Sequence, residues 1–276
     1  MVTVVQGLVS HARFSVVDAE SVMSMLSTWA NKFNMILLAV STGIIVSLIP
    51  NLTSSVVKKD KEDINLKVNQ TLSILLFFAV PMTLGISFLS KYIWMVFYGE
   101  SVYGPSVLAY FVFVGFMIGL FTSTVSIVQV LKDYKTVIFS LFIGVLLKFL
   151  LNDNLLVAFY KMGLPAYYGV ITASLIGYFV SFLICIIQMK RKYHINYEEF
   201  AKNFIDILCG SMLMVFVLFL VNFIVPDTTS RGISLIYIIL YTGIGGVTYF
   251  IYMYRFKVMK RVFGSRLDKW IKKNNK

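Results

Sequence analysis

Apolar residues in this chain gather into long stretches separated by short charged connections. Seven stretches of membrane length emerge, at 29–50, 71–89, 105–131, 136–159, 165–188, 203–225 and 233–254. Each holds about 20 residues, the number an α-helix needs to cross roughly 30 Å of hydrocarbon. Lipid offers no partners to backbone N–H and C=O groups, so a segment at that depth must pair them internally, as a helix does. The pattern predicts an all-α, polytopic membrane protein of about seven transmembrane helices. The fourth stretch is the least regular, because Lys148 and the run Asn152, Asp153, Asn154 interrupt it. These bounds divide the chain into a lead-in over 1–28, a seven-helix region over 29–254 and a basic tail over 255–276.

The charges give the helices a direction. The connections after the first, third and fifth stretches carry four, two and four Lys or Arg residues, and the tail carries nine. On the opposite side Arg13, Lys91, Lys161 and Arg231 stand singly. Basic residues near helix ends stay preferentially on the cytoplasmic side, so the amino terminus is expected outside and the carboxy terminus inside. No basic segment followed by an apolar core and a cleavage site occurs within residues 1–14, as a secretory signal would require. An outside lead-in without a signal is what remains when an odd number of preceding helices is removed. The expected functional unit is therefore longer, with the missing helices in cis or in a separate chain. In the tail, Phe256, Met259, Phe263, Leu267 and Trp270 recur every three or four residues. A helix with that face lies on anionic lipid or anchors the topology.

Polar residues inside the stretches indicate which faces turn inward, since they cost free energy unless they face the bundle or a water-filled cavity. Ser27, Asn31, Asn34 and Ser41 share one face, as do Gly115, Gly119, Thr122, Ser126 and Gln129, and as do Ser140, Gly144, Lys148 and Asn152. Small residues such as Gly115 and Gly119 let neighbouring helices approach closely. An ammonium near the middle of a span costs roughly 2.5–3.5 kcal/mol on insertion scales, so Lys148 is a candidate to face a cavity. Lys32, near a helix end, can also snorkel to the interface. Pro81 interrupts the second stretch and is expected to kink it.

Composition narrows the class. Hydrophobic residues make up 58% of the chain and charged residues 14%, against roughly 25% charged in a soluble domain. The net charge of +12 lies between apolar runs, so it signals membrane orientation and not nucleic acid. Cys185 and Cys209 each sit inside an apolar run and read as packing residues. His11 and His194 have no partner at metal or nucleophile spacing, and no phosphate-cradling Gly-rich loop occurs. Neither an enzyme nor a cofactor is expected. Lys, Asn, Gln and hydroxyls dominate the polar positions of the spans, with Asp153 and Asp206 only near ends, which suits an anionic substrate.

Several stretches resemble one family in order along residues 20–190. The run Ser47-Leu48-Ile49-Pro50-Asn51-Leu52-Thr53 resembles a helix closing on Ile-Pro before a cytoplasmic connection. Val80-Pro81-Met82-Thr83-Leu84-Gly85 with Tyr98-Gly99 resembles the next helix, and Gln129-Val130-Leu131-Lys132 the turn after the third. The stretch 144–148, Asn152, Gly163 and Gly169-Val170-Ile171-Thr172-Ala173 resemble the family's subsequent segment. The family is the polysaccharide and lipid II flippases of the multidrug/oligosaccharidyl-lipid/polysaccharide exporter superfamily, in the MurJ-like and spore-cortex exporter branch. The resemblance implies one seven-helix lobe of a two-lobe, alternating-access transporter in a bacterial cytoplasmic membrane. Its cargo would be a polyprenyl-pyrophosphate-linked saccharide, with membrane lipids and the missing amino-terminal lobe as partners. By analogy Arg13 and Lys32 are candidates to meet the phosphates, alongside Asn31, Asn34, Lys148 and Asn152 in the cavity. The rival readings are a drug exporter of the same superfamily and a membrane protein that transports nothing.

Overall fold

The structure, a computed structural model, describes residues 2–264. Seven of its helical runs are long and apolar enough to cross a membrane. Two short helices lead in, α1 (Val2–Ala12) and α2 (Val16–Ser24), and α2 runs through a π-turn at Met25–Trp29 into α3 (Asn31–Lys58). Then come α4 (Lys61–Phe88), the short α5 (Ser90–Tyr98), α6 (Gly104–Val130) and α7 (Tyr134–Lys161). The chain continues through α8 (Tyr167–Tyr193), α9 (Glu198–Asn222), α10 (Arg231–Arg255) and α11 (Val258–Phe263). Among the described residues there is no strand.

The predicted spans all appear, but two begin far earlier than hydropathy marks them. The first helical run starts at Val16 and the second span at Lys61. Hydropathy reports where lipid surrounds a helix, whereas backbone hydrogen bonding continues into water until a cap ends it. Asp60 supplies that cap for α4, its carboxylate accepting from the Asp63 N–H at 3.0 Å, the usual role of Asp at this position. Lys148 and Asn152 do not break the fourth span, since α7 is continuous through both.

Packing places α4 and α6 at the centre and leaves α7, α9 and α10 with broad apolar faces turned outward, among them Phe142, Phe149, Phe216 and Ile239. Small residues set the closest crossings. A Cβ on Gly144 would stand 2.7 Å from the Gly177 carbonyl, and the Ser181 hydroxyl reaches across to donate to the Ser140 carbonyl at 2.9 Å. These contacts lock α7 and α8 into a tight hairpin. Between α3 and α6, Asn34 lies on Gly115 and Ser41 on Gly119, and Asn34 Nδ2 donates to the Phe111 carbonyl at 3.2 Å.

Pro81 lies inside α4, where its missing N–H leaves the Phe77 carbonyl without its helical donor. The Tyr249 hydroxyl on α10 fills the gap, donating to that carbonyl at 2.7 Å. Tyr249 is 3% exposed, so the bond forms where water does not reach. The described part of the tail folds back on the bundle. Val258 and Val262 are fully buried, Phe263 packs edge-on to Phe77, and Arg261 pairs with Asp206. Of the face expected from the sequence, Met259 and Phe263 are half-buried, Phe256 is 56% exposed, and Leu267 and Trp270 lie outside the described residues. Cys185 is buried at the α7–α8 crossing, whereas Cys209 is exposed on α9 and is not a packing residue.

Candidate functional site

Although α6 and α7 follow one another in the chain, they diverge from their shared turn, and a cavity of about 600 Å³ opens between them. Its floor is α8, through Val170, Ser174, Gly177, Tyr178 and Ser181. Phe111 and Phe121 of α6 form one wall and Val145, Lys148, Phe149 and Asn152 of α7 the other. Met23, Leu26 and Ser27, on the turn before and within the π-turn, close one end together with Val4 of α1.

Helical spacing explains how α7 serves two purposes. Its polar stripe begins as packing, with Ser140 and Gly144 buried against α8. One and two turns further on, the same stripe reaches Lys148 and Asn152, which line the cavity. The Lys148 Cβ stands 3.3 Å from where a Cβ on Gly177 of α8 would lie, and the residue as a whole is exposed. Among the described residues Lys148 makes no ion pair, while the four pairs that form involve Lys67, Lys91, Lys192 and Arg261. Asn152 donates to Asp153 at 3.1 Å.

Asp153 also lines the cavity, so the space is not purely cationic, as the spans' composition had suggested. One ammonium and one carboxylate share it, five residues apart on α7, or roughly 7.5 Å along a helix axis. The cavity lining therefore combines Lys148, Asn152 and Asp153 with hydroxyls and aromatic rings, and Lys148 is exposed.

The other candidates lie elsewhere. Arg13 is exposed in the turn between α1 and α2, in a left-handed conformation with φ of 56°. Lys32 is exposed on the first turn of α3, and Asn31 is half-buried beside it; neither lines the cavity. Asn34 is 3% exposed at the α3–α6 crossing and holds a backbone carbonyl, so its place is that of a tether between helices. Arg13, Asn31 and Lys32 share a stretch of chain but not the cavity, since the turns of a helix face different directions. Sequence reasoning missed the floor on α8. Ser174, Gly177 and Ser181 recur every three or four residues, and that spacing was its only signal.

With this geometry in view, the comparisons with known proteins decide the family. The chain matches the model of the lipid II flippase MurJ family over residues 5–241. It belongs to that family. A flippase named lipid II flippase MurJ from Bacillus subtilis (strain 168) is 28% identical over 263 residues, covering 92% of this chain and 47% of that protein. Among solved structures, lipid II flippase MurJ in an inward closed conformation superposes with a TM-score of 0.66 at 21% identity, over 85% of this chain and 47% of that one. The last likeness shows a shared fold. The chain thus has the fold of a MurJ-family membrane protein and spans about half the length of the relatives it matches.

Proposed function

We propose that this chain forms one lobe of a flippase that carries lipid-linked saccharide precursors across a bacterial cytoplasmic membrane, with its amino terminus outside and its carboxy terminus in the cytoplasm. The observation that carries the reading is Lys148, an ammonium without an ion-pair partner among the described residues, in a cavity lined by helices long and apolar enough to cross a membrane. A cation there offsets its insertion cost when an anion visits it, and a pyrophosphate supplies such an anion. The walls suit the rest of the cargo. Asn152 offers hydrogen bonds to a polar head, while Phe111, Phe121 and Phe149 accept apolar atoms. Transport follows when the two lobes of the complete assembly rock about this site, exposing it to either side in turn. No catalysis takes place, since the substrate leaves chemically unchanged.

The Lys148→Ala variant, expressed with the helices that complete the transporter, is expected to insert normally and to slow flipping by about tenfold or more. That factor corresponds to losing one charged hydrogen bond of roughly 1.5–3 kcal/mol. Lys32→Ala, which removes a charge outside the cavity, is expected to change the rate by less than about twofold, as surface charges do. Equal rates for Lys148→Ala and the parent would remove the cavity from the mechanism. Depleting the protein from cells separates cargoes. Accumulation of lipid-linked precursor supports a flippase, whereas drug sensitivity without accumulation identifies a drug exporter of the same superfamily.

A further inference from the structure

The π-turn at Met25–Trp29 sits at the mouth of the cavity and carries two of the residues that line it, Leu26 and Ser27. A π-turn holds one residue more than the α-helix around it, so it rotates the preceding helix by about 100° relative to an unbroken register. Its backbone bonds show the irregularity. Ala30 N–H donates to the Met25 carbonyl, five residues back, at 2.8 Å. Phe33 N–H, which an α-helix would direct to the Trp29 carbonyl, donates to the Ala30 carbonyl at 3.1 Å. The Trp29 carbonyl receives the Tyr98 hydroxyl of α5 instead, at 3.1 Å.

The support for Tyr98 is rigid. Its ring stacks on Trp29 with centroids 5.1 Å apart and packs on Trp94 at 4.8 Å. Trp94 is fully buried and lies flat on Gly104, where any side chain would collide with the indole. A fixed aromatic platform on α5 thus presents one hydroxyl to one freed carbonyl.

We propose that Tyr98 is a positioning residue of the cavity: its hydroxyl holds the carbonyl released by the π-turn and so fixes the register that turns Met23, Leu26 and Ser27 toward the cavity. Without that bond the regular α-helical register competes, and a shift by one residue carries all three side chains off the wall. As a statement about substrate entry the proposal rests on the functional reading above. As a statement about the cavity wall it stands on the hydrogen bonds alone.

The test uses the 276-residue chain in detergent, with exposed Cys209 replaced by Ser and a reporter introduced as Ser27→Cys. A small water-soluble thiol reagent reads the reporter's access to the cavity. Tyr98→Phe, which keeps the ring stack and removes one hydroxyl, is expected to slow labelling by about fivefold, the weight of one neutral hydrogen bond. Labelling at a Glu62→Cys control should not change. Deleting Thr28 returns the helix to an unbroken register and removes the need for the hydroxyl. Adding Tyr98→Phe to that deletion should then have no further effect. Unchanged labelling in Tyr98→Phe overturns the proposal, and so does simple additivity of the two changes. If Tyr98→Phe yields no monodisperse protein but its combination with the deletion does, the hydroxyl is still shown to serve the π-turn. Failure of both variants to fold assigns Tyr98 a general packing role and overturns the proposal. Transport enters none of these readouts, so the functional reading can fail while the assignment of Tyr98 survives.

Discussion

At the scale of single residues, two tyrosines repair breaks in helical hydrogen bonding. Tyr98 takes the Trp29 carbonyl at the π-turn, and Tyr249 takes the Phe77 carbonyl opposite Pro81. The Tyr98 bond is exposed, whereas the Tyr249 bond is buried, where an unpaired backbone group has no water to turn to and the repair carries more weight than on a soluble surface. Tyr249→Phe is expected to lower the melting temperature in detergent, because leaving a buried acceptor unmet costs about 1–3 kcal/mol. Pro81→Ala restores the N–H that serves Phe77, so Tyr249→Phe should cost much less in that background. A melting series over the four variants checks the coupling, and equal losses in both backgrounds would show that Tyr249 acts through packing alone. Glycine works at the same scale. Gly144 and Gly177 are required where the α7 and α8 backbones meet, and the Lys148 Cβ lies beside that contact.

Among the elements, α7 is the one whose position makes the site. It packs closely on α8, meets α1 near Leu156 through Gly7, and departs from α6 along the cavity. Its start is pinned by Asp133, which accepts from the Thr136 hydroxyl at 2.7 Å and from Lys192 of α8 at 2.7 Å. Burial pushes the Asp133 carboxyl up, but the hydrogen bonds from Lys192 and Thr136 outweigh it and hold the group below the usual carboxylate range. A lowered acid stabilises the fold while ionised. Its contribution is complete above the unfolded value of about 3.9 and is lost as pH falls through the lower folded value. Asp133→Asn keeps the capping oxygen and removes the charge. At pH 7 it should lower stability by at most about 1 kcal/mol, since Lys192 is half exposed to solvent. The difference from the parent should vanish as pH falls through the lowered folded value and the parent carboxyl protonates. Melting curves over an acid pH series check both the size and the sign.

For the whole molecule, the helices alternate direction, and the basic connections collect at one end. Lys58, Lys59 and Lys61 stand at the junction of α3 and α4, Lys132 and Lys135 at the junction of α6 and α7, and Lys190, Arg191 and Lys192 at the end of α8. The charge pattern favours a cytoplasmic position for that end. In intact cells carrying Cys209→Ser, a membrane-impermeant thiol reagent is expected to label Ser10→Cys. Glu62→Cys should stay protected until the membrane is opened. The reverse pattern would invert the topology and with it the side from which the cavity is reached. The exposed apolar faces of α7, α9 and α10 need a covering of lipid or helix.

The number and order of the spans were legible in the sequence, because hydrocarbon thickness and the pairing of backbone groups act on each segment by itself. Lys148 also stood out there, since a charge in a span is costly wherever the neighbours lie. What each polar residue faces was decided by the tertiary structure. Asn34 and Lys148 both lie on stripes expected to turn inward, yet one is sealed at a helix crossing and the other lines the cavity. The outcome turns on which helix packs alongside, and α8 comes to floor the cavity through residues that carry little polar signal of their own. The bond from Tyr249 to Phe77 spans 172 positions, and no local pattern announces a partner at that distance. Local chemistry chose the helices, and their mutual packing chose the cavity.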